Sequence, residues 1–568
     1  IYKDEDLPHN VPLCWRCHTR LYYAPKDAWY VDVQQLKDRM KKTNEQVNWY
    51  PEHFKNGRFL KSLENAPDWN ISRNRYWGSP VPVWECECGE RFVPGSIKEL
   101  EEASGQKITD LHKPGIDAVL VTCQACGKKA KRVSEVLDSW IEAGSATFAE
   151  RHFPFEGESD PKTFFPPDFI AEYTGQIRAW FYVMHVIANA LDLRDDGQNI
   201  LSKNVLVEGV ILGSDGRKMS KNFKNYPDPK EMLTKYGGDA LRLYLMGSPV
   251  MNGEDILISE ENYKNQVRGM MLVLWNTYNF FVTYANIDSW TPDKSQTSNT
   301  KPQNVLDQWV LSRLNRLVQD VTKSLDGYNT VDSIDHLQKF ISEFSTWYIR
   351  RSRDRVGAGV ENKDDSYAFY ETTHTVLTTV VLLLAPITPF LSEEIYRNLT
   401  GEESVHLALW PESQTDLIDT QLETEMTVAM AVASQILMMR KTHQVAVKMP
   451  LKKVTYTGPT ELSSSVTTVV ASEANVYDLV YGGTTEEWAC VNEDEFTDDA
   501  NKDLLAGQMR DIVRKIQQQR KILGTTFDEK VDVQLPEWPE NYTEEIKKQA
   551  LVDTLTKASE FVVTRKNV

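Results

Sequence analysis

The chain has 568 residues, 41% of them hydrophobic and 26% charged, with a formal net charge of −18. That length predicts several domains, and the ordinary composition excludes a disordered or fibrous chain. The acidic balance excludes a general nucleic-acid coat but permits a local basic groove. The longest apolar run, near Val380 to Ala385, stops at Pro386 and is too short to span a bilayer, so no membrane partner is expected.

Residue 1 is Ile, and a cysteine pair follows within a few residues. This reads as a piece of a longer polypeptide, so targeting is not legible from its start. Residues 1 to 85 are rich in Trp, Tyr, Pro and Arg, with a helix expected from Val33 to Lys42. Cys14 and Cys17 form half of a metal site whose other ligands are not in the chain. Cys86-x-Cys88 and Cys123-x-x-Cys126 are each followed by a glycine, Gly89 and Gly127, as tight knuckle turns require. Four thiolates there would close a tetrahedral, structural Zn²⁺ site, the alternative being a degenerate site without metal. Paired spacing points away from disulfides and towards a reducing compartment. Cys490 stands alone and is expected to be a core thiol.

Residues 136 to 260 read as α/β. Asp168 to Ala171 is a short buried strand, Gln176 to Leu191 a helix, and Val205 to Leu212 a second strand. That order predicts a parallel unit with its ligand beyond the carboxyl ends of the strands, where Glu172 and Lys218 can face one crevice. Glu172 and Gln176 lie four apart, suited either to hold an ammonium group and a hydroxyl or merely to cap a helix. Trp140 and Trp180 wall an apolar side-chain pocket or belong to the core. Lys218-Met219-Ser220-Lys221 follows a Ser214-Asp215-Gly216 turn; two ammonium groups on such a loop suit a triphosphate, the alternative being solvated surface.

Beyond residue 262 the pattern turns helical. Val310, Leu314, Leu317, Val318 and Val321 repeat at helical spacing, and further helices are expected over 332–355 and 367–384, predicting a bundle. Trp347, Tyr348, Arg350 and Arg351 make a basic, aromatic helix face that either tracks RNA or is solvated. Residues 431 to 568 mix strands (454–456, 531–533) with a polar helix over 504–522. The acidic stretch 484–503 is expected to be a solvated loop. No internal repeat is visible.

Taken together, the chain resembles isoleucyl-tRNA synthetases, class I enzymes, of the eukaryote-like branch, over nearly its whole length. The resemblance rests on Trp49-Tyr50-Pro51, the block Asp68-Trp69 to Trp77-Gly78, Glu172 with Gln176, Arg178 and Trp180, the KMSKS-like Lys218 to Lys221, Asn225 to Pro229, Tyr236 to Arg242, and Trp347 to Arg350. It implies a multidomain α/β plus all-α protein. Residues 1–85 would be a connective segment, 86–135 a zinc-ribbon insertion and 136–260 the second half of a Rossmann-like catalytic domain. Residues 261–430 would be a helical-bundle anticodon-binding domain and 431–568 a small α+β domain.

The same resemblance implies isoleucine, ATP with Mg²⁺, and tRNA(Ile) as substrates and partner, in a cytoplasmic enzyme monomeric when complete. Lys218 and Lys221, with Met219 and Ser220, would serve the triphosphate. Glu172 and Gln176, bordered by Trp140 and Trp180, would hold the amino acid and its adenylate. Trp347, Arg350 and Arg351 would contact tRNA. A valyl or leucyl enzyme, or a non-catalytic tRNA-binding fragment, are the alternatives. Some residues depart from the pattern: Tyr173 stands where the family usually has Gly, Gly175 where it has Asp, Asn222 replaces the last KMSKS serine, and Glu208 replaces a common His. No histidine is followed by x-Gly-His and no Thr-rich editing motif occurs, so both are expected upstream of Ile1 and the chain alone is expected not to form adenylate.

Overall fold

The structure, a computed structural model, describes residues 9–14, 17–22, 24–156, 160–219, 224–292, 303–357, 360–485, 489–526 and 529–565. Ser220 and Lys221 of the expected phosphate-binding turn lie outside them. The chain divides into two compact units, 1–210 with 252–254, and 211–251 with 255–568.

The first unit is built on a three-stranded parallel sheet. Helix α1 (Lys37–Asn44) precedes β1 (Asn48–Tyr50), and a π turn leads into α2 (Leu60–Glu64). Strands β2 (Trp84–Glu85), β3 (Arg91–Phe92), β4 (Leu120–Thr122) and β5 (Lys129–Arg132) form a separate antiparallel sheet in the order β3-β2-β5-β4. Its own small core is Trp84, Leu100, Ile116 and Val121. After α3 (Ser139–Gly144) come β6 (Phe169–Tyr173), α4 (Trp180–Leu191) and β7 (Asn204–Glu208). The main sheet has the order β6-β7-β1, all parallel. Ile170, Val205 and Val207 on its strands meet Trp49, Phe59, Phe181 and Met184 in one core.

Two expected elements are interrupted. The stretch 176–191 begins as a 3₁₀ turn (Thr174–Arg178) and breaks at Ala179 (φ −128, ψ −102) before α4. The stretch 205–212 splits into β7 and β8 (Ile211–Leu212), which belong to different sheets. A Cβ on Gly209 would lie 1.8 Å from the Glu254 carbonyl oxygen, so the backbone crosses there too closely for any other residue.

In the second unit β8 pairs in parallel with β9 (Ile256–Leu257), flanking α5 (Pro229–Met246). A continuous core joins α6 (Leu272–Ile287), α7 (Val305–Asp326), α8 (Thr330–Glu343), α9 (Lys363–Leu384), α10 (Pro389–Thr400) and α11 (Thr420–Thr442). It continues under β10 (Leu451–Gly458), α12 (Ser464–Ala474) and β11 (Val476–Thr484), with β12 (Cys490–Val491) on the other edge. Helix α13 (Leu504–Ile522) precedes β13 (Val531–Leu535), α14 (Thr543–Ala550), β14 (Val552–Lys557) and β15 (Val562–Arg565), which have their own core.

The acidic stretch 484–503 is not a loop throughout. It holds β12 and a turn of helix that buries Phe496, and the Glu495 carboxylate accepts from the Thr455 amide at 2.6 Å. Cys490, expected in the core, is exposed on the edge strand. No helix among the described residues is long and apolar enough to cross a membrane.

Candidate functional site

At the carboxyl end of the parallel sheet, Glu172 is the penultimate residue of β6, within the strand rather than past it. Its Oε2 accepts from the Tyr173 amide at 2.8 Å. On the neighbouring strand, Glu208 pairs in register with Tyr173. Burial pushes the Glu208 carboxyl up, and the negative charge of Glu172 pushes it the same way. Two carboxylates that feel each other make this rim a favourable place for a cation.

The helix-capping alternative holds for Gln176: its Oε1 accepts from the Trp180 amide at 3.1 Å, satisfying the first turn of α4. Trp180 is partly buried, and its indole N–H donates to the Ala143 carbonyl at 2.9 Å, tying α4 to α3. Trp140, on α3, is 36% exposed. Trp180 also lines a cavity of about 510 Å³ with Phe165, Ile170 and Met184, but Asp168 and Lys203 place that cavity at the amino ends of β6 and β7. Trp140 is not among its lining residues, so the cavity is not the two-tryptophan pocket expected.

The departures at 173 and 175 are a matched pair. A Cβ on Gly175 would lie 2.4 Å from the Tyr173 ring, so the large side chain at one position occupies the space vacated at the other. Asp138 has a structural task that its sequence position did not announce. It is 5% exposed and accepts from Arg73 at 2.6 Å and from the Trp69 indole at 3.1 Å, which fixes the Asp68 to Gly78 block beside α3. The signal available was the pairing of an aspartate before Trp140 with an arginine in the tryptophan-rich block.

The lysine turn is built within the second unit. Gly213 donates to the Arg217 carbonyl at 2.8 Å, and Leu212 bridges Lys218 in antiparallel fashion. Gly216 takes φ 76, a region that favours glycine. Asp215 accepts from Asn225 at 2.8 Å and from the Arg217 amide and guanidinium. The Asn225 amide, more than any other group, pulls the Asp215 carboxyl down to about 2. Lys218 is exposed and Met219 partly buried. Asp215 and Asn225, which shape the turn, were not singled out by chemistry; a short Asp-Gly turn was the only cue.

The four thiols of Cys86, Cys88, Cys123 and Cys126 lie within 4.8 Å of one another, with Cys86–Cys126 at 3.5 Å and Cys88–Cys123 at 3.7 Å. A tetrahedron with arms of about 2.3 Å has edges of about 3.8 Å, so the donor set fits Zn²⁺. Gly89 (φ 90) and Gly127 (φ 73) make the knuckles. The Cys126 amide, aimed at the Cys123 sulfur, pulls that thiol down to about 7. The segment at Cys14 repeats the second knuckle's pattern: Cys123 N–H donates to Lys128 and Gly127 N–H to Cys123, as Cys14 N–H donates to Thr19 and His18 (φ 57) N–H to Cys14.

The expected RNA-tracking face is largely occupied. Trp347 is 8% exposed and its indole N–H meets the Met426 sulfur at 3.2 Å, so it is not available to stack on a base. Arg351 is buried against Glu473 of α12, and Arg350 lies 3.4 Å from the same carboxylate while remaining half exposed. Arg355 chelates Asp307 with two bonds of 2.7 Å. The basic run is answered by acids distant in sequence.

The model of the family described as class I tRNA synthetases (I, L, M and V) matches residues 2–258, and that of the anticodon-binding domain of tRNA ligases matches 307–455. An isoleucine–tRNA ligase of Treponema denticola is 37% identical over 91% of this chain and 48% of its own length. One from Clostridium novyi is 42% identical over 76% of this chain and 41% of its own. Isoleucine–tRNA ligase 2 of Pseudomonas fluorescens is 38% identical over 86% of this chain and 47% of its own. The chain thus spans about half the length of the curated relatives it matches.

Proposed function

We propose that the chain belongs to the class I tRNA synthetases and is part of an isoleucine–tRNA ligase, which activates isoleucine with ATP and transfers it to tRNA(Ile). The observation that carries the reading is the run of isoleucine–tRNA ligases at 37% to 42% identity across most of this chain. The nucleophile of the first step is the substrate's own carboxylate, which attacks the α-phosphate and expels pyrophosphate. No side chain is then needed as base, and catalysis is positioning plus charge stabilisation.

Glu172 holds the substrate ammonium, supported by the acidic rim it shares with Glu208. Gln176, its oxygen engaged by Trp180, keeps its amide N–H groups for the substrate. Trp140 and Trp180 border the aliphatic side chain. Lys218 and Lys221, with Met219 and Ser220, close on the triphosphate as negative charge moves to the leaving group. Mg²⁺, when bound with the ATP, would supply further neutralisation. The terminal ribose 2′-hydroxyl of tRNA then takes the aminoacyl group. Cys86, Cys88, Cys123 and Cys126 would hold Zn²⁺ as a crosslink for a subdomain with a small core.

The test uses the complete protein. Lys221→Ala is expected to slow ATP–pyrophosphate exchange by about 10²- to 10³-fold, the scale of losing one transition-state donor, while isoleucine binding by calorimetry is retained. Exchange at the normal rate in that variant sinks the assigned role. Valine or leucine driving exchange better than isoleucine would move the reading to a neighbouring member of the class.

A further inference from the structure

The second unit contains one arrangement twice. α11, β10, α12, β11 and β12 follow the same order as α13, β13, α14, β14 and β15. In both sheets the first strand is central, with a parallel second strand on one side and an antiparallel third on the other. The match extends to single hydrogen bonds. Arg440 and Arg520 are 1% and 4% exposed, each in the last turn of its long helix. Arg440 donates to the carbonyls of Ala446 and Met449, Arg520 to those of Thr526 and Glu529. Each of these residues lies eighty positions from its counterpart (440 and 520, 446 and 526, 449 and 529).

The backbone agrees at the same spacing as far as the first strand, and at seventy-six positions after it. Gln444 (φ 55) corresponds to Gly524 (φ 64). Val445 donates to Arg440 as Thr525 does to Arg520, and Leu451 donates to Asn475 as Val531 does to Leu551. Asn475 and Leu551 both take φ values near 50, at 53 and 52, closing α12 and α14 with a left-handed residue, a conformation asparagine adopts readily and leucine rarely. Arg440 makes two further bonds, to the carbonyls of Ala474 and Asn475; even so, a shared fold class does not require a buried guanidinium stapled to the two corresponding carbonyls.

The copies differ on the outer face of the long helix. With the buried Glu423, Arg440 and Arg520 set aside, α11 carries Glu425 and Lys441, whereas α13 carries Arg510, Arg514, Lys515 and Lys521 against Asp511 alone. Ser434 and Gln435 in the first copy correspond to Arg514 and Lys515 in the second, both exposed. Arg514, Lys515, Gln518 and Lys521 share one face at helical spacing. Asp511, the one acid on that helix, accepts from Lys448 and, at 3.3 Å, from Arg514, leaving Lys515 and Lys521 without an acid on that helix. A chain of net charge −18 has no solubility reason to concentrate cations there.

We propose that residues 504–565 are a second, diverged copy of the unit formed by 424–502, and that its recharged helix face takes the phosphate backbone of a nucleic acid. The nucleic-acid part rests on the tRNA-ligase reading. In the complete protein, Arg514→Gln/Lys515→Gln/Lys521→Gln is expected to weaken binding of a tRNA transcript about tenfold or more at 50 mM salt. It should flatten the slope of log affinity against log salt by roughly two, at about 0.7 to 0.9 for each phosphate no longer neutralised. ATP–pyrophosphate exchange, which needs no tRNA, stays unchanged. Wild-type binding with an unchanged slope in the triple variant overturns the surface. A wild type that binds no tRNA at any salt sinks the tRNA-ligase reading and the surface with it. The duplication is tested by hydrogen exchange: Arg520→Gln should loosen amides 523–526 and 529–531 and leave 443–451 protected, and Arg440→Gln should do the reverse. Either variant loosening both loops, or neither, overturns the equivalence.

Discussion

His185 lies on α4, the helix that begins at Trp180, and is fully buried. Its Nε2 donates to the Met40 carbonyl at 2.8 Å, while Nδ1 has no partner and no access to solvent. Around it are Thr43, Asn189 and the Phe59 ring, and the nearest charged groups on the packed helices, Arg39 and Asp192, pair with each other at 2.9 Å. Burial pulls the imidazole down from 6.5 to about 4, outweighing the Met40 bond, which favours the charged form. In the unfolded chain His185 takes up a proton near its ordinary value; in the folded chain it does not. Stability is therefore present above pH 6.5 and is lost as pH falls towards 4. At 1.36 kcal/mol per pH unit the full displacement is worth about 3 kcal/mol, of which about 2 kcal/mol is lost by pH 5. His185→Gln keeps a donor for Met40 but removes the titration. Hydrogen exchange over 37–44 and 180–191, compared at pH 7 and pH 5, should show the wild type losing about 2 kcal/mol more than the variant. Equal losses in the two proteins refute the assignment of the acid sensitivity to Nδ1.

Three other outcomes are expected. If the four cysteines hold zinc as proposed, Cys86→Ser and Cys123→Ser should each remove it, measured by elemental analysis of the purified protein, and raise exchange across 84–132; unchanged exchange in a metal-free variant would mean the small core holds this segment alone. Gly175→Asp should cost about 1–3 kcal/mol through overlap with the Tyr173 ring, and adding Tyr173→Gly should recover most of it; additive losses in thermal denaturation would contradict the paired-volume account. Arg355→Ala should destabilise the helical bundle by about 3–5 kcal/mol because it leaves Asp307 buried and unpaired, whereas the half-exposed Arg350→Ala should cost under about 1 kcal/mol; equal effects in urea unfolding would show that burial does not rank these arginines.

What could be read from the sequence was what local pattern controls. The helix after Trp180 and the run from Val310 to Val321 bury residues at the periods their sequence displays, and a strand forms at Ile170 although Phe169 beside it is exposed. Four cysteines with knuckle glycines were legible because metal-binding turns demand a fixed local spacing. The errors arose where a distant residue decides the outcome. Val205 to Leu212 reads as one strand because nothing nearby announces that Glu254 crosses at Gly209. The Trp347 to Arg355 run reads as an open basic and aromatic face because Met426, Glu473 and Asp307, which cover parts of it, are far from it in sequence.

The internal duplication failed to show for a different reason. Of the positions that carry it through the long helices, Ile436 and Ile516, Arg440 and Arg520, and Lys441 and Lys521 are identical, while neighbouring positions have changed size, charge and polarity. What the two copies share is mostly backbone: carbonyls that accept from a buried guanidinium, and residues that turn left-handed. A carbonyl acceptor places no demand on the side chain that bears it, so Met449 and Glu529 serve equally. Only the donor must be kept, because a buried position without a carboxylate partner favours a group with several fixed N–H donors. Sequence comparison weighs side chains, and so misses a unit whose conserved chemistry resides in the main chain.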